Sequence, residues 1–219
     1  MYSLTVKGAF AYVRRAIDEL TTAEEIGHLV DPDAIDLHRL VEGAMVEAVV
    51  KAYSLAPSHI LEGETAVKGT DYELDELESN DGVVTISMLT PTARVVSVQC
   101  NDSEVILSDL IPENSAEGRK QLNKYIRGTY DDPRLVLLKK WKGDNMPRMR
   151  YYTTTKELKD LDFTIEFLPY PVLEEGVVKV ASRMEYVILN FIVALVLDSF
   201  KEFEAADRFR VKAKEYMEG

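Results

Sequence analysis

The pattern of hydrophobic and polar positions divides the chain into a helical beginning, a β-rich middle and a helical end. Between Leu4 and Leu20 apolar residues recur at three- and four-residue spacing with charges on the opposite face, which predicts an amphipathic helix. A longer helix is predicted from Pro32 to about Leu55, with Asp31 as its N-cap. It should end before Pro57, because proline lacks an amide hydrogen and restricts the residue that precedes it.

The hydrophobic period changes in the middle of the chain. A loop rich in Glu, Gly and Asp is predicted from Glu62 to Gly82, followed by short β-branched runs separated by turn sequences as far as Pro169. Such runs are typical of antiparallel strands joined by turns. A short helix, Ser115 to Ile126, is expected between the third and fourth strands. The six predicted strands are VVTISML, RVVSVQC, EVILSDL, LVLLKKW, RMRYYTT and FTIEFLPYP.

Helical spacing returns from Val180 to Met217, which predicts one or two further helices. Because neither end of the chain can bury its apolar stripe alone, the helices of both ends are expected to pack together. The predicted fold class is α+β, a helical bundle from both chain ends with an inserted antiparallel β module. The predicted division is 1–82 for the N-terminal helices and acidic loop, 83–171 for the β module with its short helix, and 172–219 for the C-terminal helices.

Composition sets the broad class of the protein. The chain has 219 residues, 46% of them hydrophobic, which is enough for a substantial core. Its single cysteine, Cys100, excludes an intramolecular disulfide, so folding needs no oxidising compartment. The most apolar window, Tyr186 to Leu197, is shorter than the roughly 20 residues of a membrane span, and no export signal is visible. We therefore expect a protein that matures in a cytosol.

Residues capable of catalysis or metal binding are present, but they form no recognisable motif. The three histidines, His28, His38 and His59, lack zinc-site spacing, and the eleven glycines form neither a phosphate-binding loop nor a dinucleotide fingerprint. Cys100 ends a predicted strand and is expected to be buried instead of nucleophilic. The sequence therefore predicts no enzyme, no cofactor and no metal. An enzyme with a dispersed acidic site is the alternative.

Charge is distributed unevenly along the chain. The formal net charge is −12, yet residues 119–159 carry twelve basic and four acidic groups, a balance of +8 that leaves −20 on the other residues. Summed surface charge governs which molecules a protein attracts or repels. A negative total disfavours tight binding of nucleic acid, whose affinity comes largely from phosphates neutralised by Lys and Arg. Any contact with DNA is therefore expected to be local or weak.

The basic segment, residues 119–142, combines these lysines and arginines with aromatic residues. One interpretation is a solvated helix face followed by an edge strand that lysines protect from edge-to-edge pairing. The other is a subunit or ring interface, because Tyr, Trp and Arg are the residues that most often anchor protein contacts. In a ring, a basic patch on one subunit can meet an acidic patch on the next. The candidate interface residues are Lys124, Tyr125, Arg127, Tyr130, Arg134 and Trp141.

Three stretches between Leu40 and Phe200 resemble a known family. They are LVEGAMVEAVVKAYSLAP, EGRKQLNKYIRGTYDDPRLVLL and PYPVLEEGVVKVASRMEYVILNFIVALVLDSF. They are similar to sequences of the head-to-tail connector (adaptor or ring) proteins of crAss-like tailed bacteriophages, which infect gut bacteria. None of the three stretches is a catalytic motif.

The resemblance implies a structural virion protein, made in the host cytoplasm and assembled as a twelvefold ring below the portal protein. Its partners would be copies of itself, the portal and other tail or ring proteins of the neck, with no role for a membrane. DNA would pass through the ring without specific contact, because an acidic lumen repels phosphate. The residues leave a second interpretation open, a small cytosolic oligomeric adaptor or regulator that binds a protein partner.

Overall fold

The structure is a computed structural model that describes residues 1–22, 36–75, 82–101, 103–129, 131–138, 145–152 and 162–218. Within these residues the chain contains both helices and sheets, which confirms the predicted α+β class. It divides into a helical unit, Met1–Glu62 with Pro171–Gly219, and a β unit, Gly63–Tyr170.

The elements are numbered in chain order. They are β1 (Tyr2–Thr5), α1 (Val6–Thr22), α2 (Leu37–Leu55), β2 (Glu64–Thr65), β3 (Tyr72–Asp75), β4 (Val83–Met88), β5 (Thr92–Cys100), β6 (Ile106–Leu107), β7 (Ile111–Pro112), α3 (Ala116–Lys120), β8 (Arg134–Leu137), β9 (Arg148–Tyr152), β10 (Phe163–Pro169), β11 (Val177–Val180), α4 (Glu185–Ser199) and α5 (Phe203–Glu218).

Helix α4 is the centre of the helical unit. It packs against α1, α2 and α5, and almost every residue from Val187 to Leu197 is buried. A helix that is apolar on all sides must be covered on all sides, so it requires helices from both ends of the chain. Strand β1 pairs antiparallel with β11, where the buried residues Leu4 and Val178 lie opposite each other.

A buried tyrosine connects α2 to the turn that precedes α4. The Tyr53 side chain is 1% exposed, and its hydroxyl accepts a hydrogen bond from Ala181 N at 2.9 Å. Burial raises the pKa of Tyr53, because an ionised phenolate would be poorly solvated there. The hydroxyl therefore stays neutral and satisfies a buried backbone amide.

The two predicted N-terminal helices begin later than their sequence patterns indicate. The first starts at Val6, because Leu4 belongs to β1 and the Thr5 hydroxyl accepts a hydrogen bond from Gly8 N at 3.0 Å, as a helix N-cap does. The second starts at Leu37, since Asp36 caps it and accepts a hydrogen bond from Arg39 N at 3.1 Å. The predicted cap, Asp31, lies outside the described residues.

The β unit begins at Gly63, whereas the sequence predicts a loop from Glu62 to Gly82 and a β module only from Val83. Strands β2 and β3 lie in that interval. The acidic composition concealed the alternation of Tyr72 and Leu74 with acidic residues, which is the pattern of a half-buried strand.

Two sheets form the β unit. One has the order β2-β10-β5-β6, and the other has the order β3-β4-β9-β8-β7. Their pairs are antiparallel except β7 with β8, which departs from the all-antiparallel prediction because a crossover containing α3 connects these two strands. The predicted third strand is reduced to β6, and α3 is shorter than expected. The buried cysteine Cys100 belongs to the core, as predicted.

A hydrogen-bond network around Tyr72 connects the two sheets of the β unit, because Tyr72 starts β3 and Phe163 starts β10. The Tyr72 side chain is 1% exposed, and its hydroxyl lies 2.7 Å from Asp162 Oδ1 and 2.8 Å from Phe163 O. Burial and then the hydrogen bond to Asp162 raise the pKa of Tyr72 to about 12. The same hydrogen bond is the main reason that the pKa of Asp162 is lowered.

Replacing Tyr72 with Phe is expected to destabilise the β unit by about 1–3 kcal/mol, because buried polar partners lose their hydrogen bonds. Urea denaturation gives the free energy of unfolding, and hydrogen exchange at Phe163 N locates the loss. The matched control is Tyr125→Phe, which should leave the free energy of unfolding almost unchanged. Tyr125 is 84% exposed, so removing its hydroxyl leaves no buried group without a partner.

The cost of Tyr72→Phe should depend on pH. The folded-state pKa of Asp162 is depressed, so its contribution is fully present above the unfolded-state pKa of about 3.9 and is lost as the pH falls through the folded value. The difference in stability between wild type and Tyr72→Phe should therefore shrink below about pH 4. A difference that stays constant through this range would show that the carboxylate contributes nothing.

Candidate subunit interface

The basic segment begins in the last residues of helix α3, a short helix that is capped by Ser115. The Ser115 Oγ accepts a hydrogen bond from Gly118 N at 2.9 Å and donates one to Pro112 O at 2.7 Å. Glu117 lies in the first turn, where the helix dipole favours an acidic side chain. Gly118 packs directly against β7, because a Cβ atom there would lie 2.3 Å from Pro112 O. This position therefore requires glycine.

A second set of contacts fixes the backbone at Gly128, a few residues after the end of α3. Gln121 is 2% exposed, and its Oε1 accepts a hydrogen bond from Gly128 N at 2.8 Å while its Nε2 donates one to Glu117 Oε1 at 3.4 Å. A Cβ atom on Gly128 would lie 2.8 Å from Arg134 N and 3.0 Å from Tyr152 O. The backbone at Gly128 thus lies directly against β8 and β9, as Gly118 lies against β7.

The residues between these two contacts, 119–127, are the last two residues of α3 and the turns that follow it, and we call them the exposed loop. Asn123 shapes it: its Oδ1 accepts a hydrogen bond from Tyr125 N, and its carbonyl accepts one from Ile126 N, both at 3.0 Å. Three large apolar side chains point into solvent, since Leu122 is 66%, Tyr125 84% and Ile126 59% exposed. A group of exposed apolar side chains on a backbone held at both ends is typical of a protein contact surface.

The charges of the exposed loop are partly available for a partner. Lys120 forms an exposed ion pair with Glu117 at 3.5 Å, which contributes little stability. Among the described residues, no carboxylate lies within ion-pair distance of Arg119 or Lys124. The Lys124 ammonium lies 5.3 Å from the centre of the Tyr125 ring, a cation–π distance. Together these side chains present positive charge beside aromatic surface.

The structure places three of the six predicted interface residues on the exposed loop, and two of them, Lys124 and Tyr125, are exposed. Arg127 is half-buried at the end of the loop. Arg134 is half-buried at the start of β8 and forms an ion pair with Asp132 at 2.7 Å. Both arginines are therefore less accessible than Lys124, and Arg134 is already paired with an acid of its own chain.

Tyr130 and Trp141 lie outside the described residues. Sequence reasoning missed Leu122 and Ile126, because apolar residues in a predicted amphipathic helix are normally assigned to its buried face. It also missed Gln121, whose burial depends on hydrogen bonds to residues that come near it only in the folded chain. Glycines on both sides of the segment were a signal that its two ends lie close to other backbone.

Comparisons with known proteins add no relative: no family model, curated protein or solved structure matches the chain. In the described part of the chain, no group of three or more His, Cys, Asp or Glu residues is arranged to hold a metal ion. None of the described helices has the length and apolarity needed to cross a membrane.

Replacing Gly118 with Ala is expected to loosen the exposed loop. The new Cβ would collide with Pro112 O, so we expect a loss of about 1–3 kcal/mol and faster hydrogen exchange of loop amides. The matched control is Gly43→Ala, in exposed helix surface with nothing within 4 Å of the added Cβ. That variant should gain about 0.5–1 kcal/mol. Equal effects of the two substitutions would contradict the packing of Gly118.

Proposed function

We propose that the protein is a structural virion protein that forms a ring in the neck of a tailed bacteriophage, where it joins the portal to the tail and continues the DNA channel. The resemblance of three stretches to head-to-tail connector proteins supports the phage assignment. The observation that supports assembly into a ring is the exposed loop. It offers apolar and basic side chains to a partner, on a backbone that is fixed at both ends.

The exposed loop has the physical properties that a subunit contact needs. Burying one large apolar side chain contributes roughly 1.5–3 kcal/mol, and the loop exposes three of them. Because hydrogen bonds already fix the loop backbone, little conformational entropy is lost when a partner binds. The rest of the chain is strongly acidic, so another copy of the protein is a partner of complementary charge.

The acidic remainder also has a role in the proposed channel. A balance of −20 outside residues 119–159 would repel the phosphates of a passing genome. Repulsion leaves DNA without strong binding sites, which allows it to slide during packaging and ejection. The proposed partners are therefore other copies of the chain, the portal and neighbouring tail or ring proteins, and the proposed location is the neck of the virion, for a protein made in the host cytoplasm.

Reversing charge and removing the aromatic ring on the exposed loop should impair assembly. We expect the double variant Lys124→Glu, Tyr125→Ser to lose ring formation while its circular dichroism spectrum stays unchanged, because both side chains point into solvent. Native mass spectrometry and negative-stain microscopy, with and without portal protein, measure the assembly. Arg127 and Arg134 are poorer targets, since both are half-buried.

Lys214→Glu is the control, because it makes the same charge change at an exposed lysine of α5. Wild-type rings that survive the double variant would show that the loop is not the contact. A wild-type protein that stays monomeric both alone and with portal would remove the ring proposal. A small oligomer that ignores portal but binds another protein would favour a cytosolic adaptor or regulator.

A further inference from the structure

Four tyrosines of the helical unit lie together on its surface, although they come from four different elements. Tyr2 is in β1, Tyr12 in α1, Tyr186 in α4 and Tyr216 in α5. The rings of Tyr186 and Tyr216 stack, with centroids 5.8 Å apart and planes 22° from parallel. Three of the four are substantially exposed: Tyr2 is 40%, Tyr186 56% and Tyr216 57% exposed. We call these four residues the tyrosine patch.

Electrostatic contacts place the other two tyrosines beside the stacked pair. The pKa of Tyr12 is raised by partial burial first, and then by the hydroxyls of Tyr216 and Tyr186 and by the charge of Glu19. The pKa of Tyr2 is raised mainly by a hydrogen bond to Glu185 and by the charge of that carboxylate, with smaller effects from burial and Tyr186. All four rings therefore belong to one surface.

A buried asparagine contacts two tyrosines of the patch. Asn190 of α4 is 0% exposed, and its Nδ2 donates a hydrogen bond to Tyr186 O at 2.7 Å. Its side chain also forms a hydrogen bond that lowers the pKa of Tyr12 and partly offsets the effect of burial. Tyr12, Tyr186 and Tyr216 project from packed helices, so a partner meets a preorganised surface and less entropy is lost on binding.

Carboxylates act on two of the four tyrosines. Glu185 raises the pKa of Tyr2 through a hydrogen bond and its negative charge, and the charge of Glu19 raises the pKa of Tyr12. Negative charge and exposed aromatic faces both attract cations, since the face of an aromatic ring carries partial negative charge. Tyrosine is also one of the residue types enriched at binding hot spots. The patch is therefore suited to a basic partner that also carries apolar side chains.

We propose that the tyrosine patch receives the exposed loop of a second copy of this chain. The loop provides what the patch lacks: Arg119 and Lys124, for which no carboxylate lies within ion-pair distance among the described residues, next to exposed apolar side chains. Lys124 would meet Glu185, and Tyr125 would pack against the stacked pair. This inference rests on the proposed function, because it names the two faces of the proposed ring contact.

The identity of the two faces predicts the symmetry of the assembly. The loop belongs to the β unit and the patch to the helical unit, so the two contacting surfaces are different. A contact between different surfaces is heterologous, and it generates a ring when its rotation closes. A two-fold dimer would need the same contact twice, with each copy providing its loop to the patch of the other.

Photo-crosslinking in the assembled full-length protein tests this contact without disturbing its charges. Tyr125→p-benzoylphenylalanine is expected to crosslink two copies upon irradiation, and mass spectrometry should locate the bond in the peptides that contain Tyr186 or Tyr216. The matched control is the same photo-reactive residue at Phe203, which is 60% exposed on α5 but is not part of the patch. It should not react with loop peptides.

Charge reversal gives an independent readout. Glu185→Lys and Lys124→Glu should each weaken assembly about tenfold, and combining them should recover most of the loss, because the pair is restored with opposite orientation. Glu204→Lys is the control: it reverses an exposed acid on the same helix as Tyr216, twelve residues away, or about 18 Å along the axis. It should leave assembly unchanged.

The outcomes separate this inference from the proposed function. If rings form but the crosslinks from position 125 map to other peptides, the patch is not the receiving surface. The same conclusion follows if the double charge variant assembles no better than the worse single variant. Either result would leave the proposed ring itself standing. Protein that remains monomeric with portal, and gives no crosslinks between copies, would overturn both.

Discussion

The helical unit depends on the burial of one helix. Helix α4 is apolar on all sides, and no single neighbour can cover it. Helices α1 and α2 come from the beginning of the chain and α5 from its end, so the core forms only when both ends are present. This constraint explains why residues 63–170 can form a separate unit within the sequence: the segment leaves the helical core after α2 and the chain returns to it before α4.

Buried polar side chains of the β unit hold separate segments of the chain next to one another. The Tyr72 hydroxyl connects the starts of β3 and β10, and the Gln121 amide connects the end of α3 to Gly128. In both places a polar side chain that is almost fully buried satisfies groups that would otherwise be costly to bury. The consequence for function is a loop whose two ends are fixed while its apolar side chains face solvent.

The charge pattern and the surface geometry support one another in the proposed ring. Positive charge is concentrated in one sequence region, and Lys124 within it lies beside an exposed aromatic ring. Carboxylates lie beside the tyrosines of the helical unit. Opposite charges on different surfaces of one chain favour head-to-tail contacts and disfavour self-pairing of either surface, because like charges repel.

The amino-acid sequence by itself determined the fold class, the helix–β–helix order of the chain, the burial of Cys100 and the segregation of charge, because these follow from local periodicity and composition. Only the tertiary structure decided that β3 is a strand, that β7 and β8 are parallel, and that α2 begins after Asp36. It also decided which loop residues are exposed and which four tyrosines meet. Those outcomes depend on contacts between residues far apart in the chain, and such contacts leave no periodic signal in a single sequence.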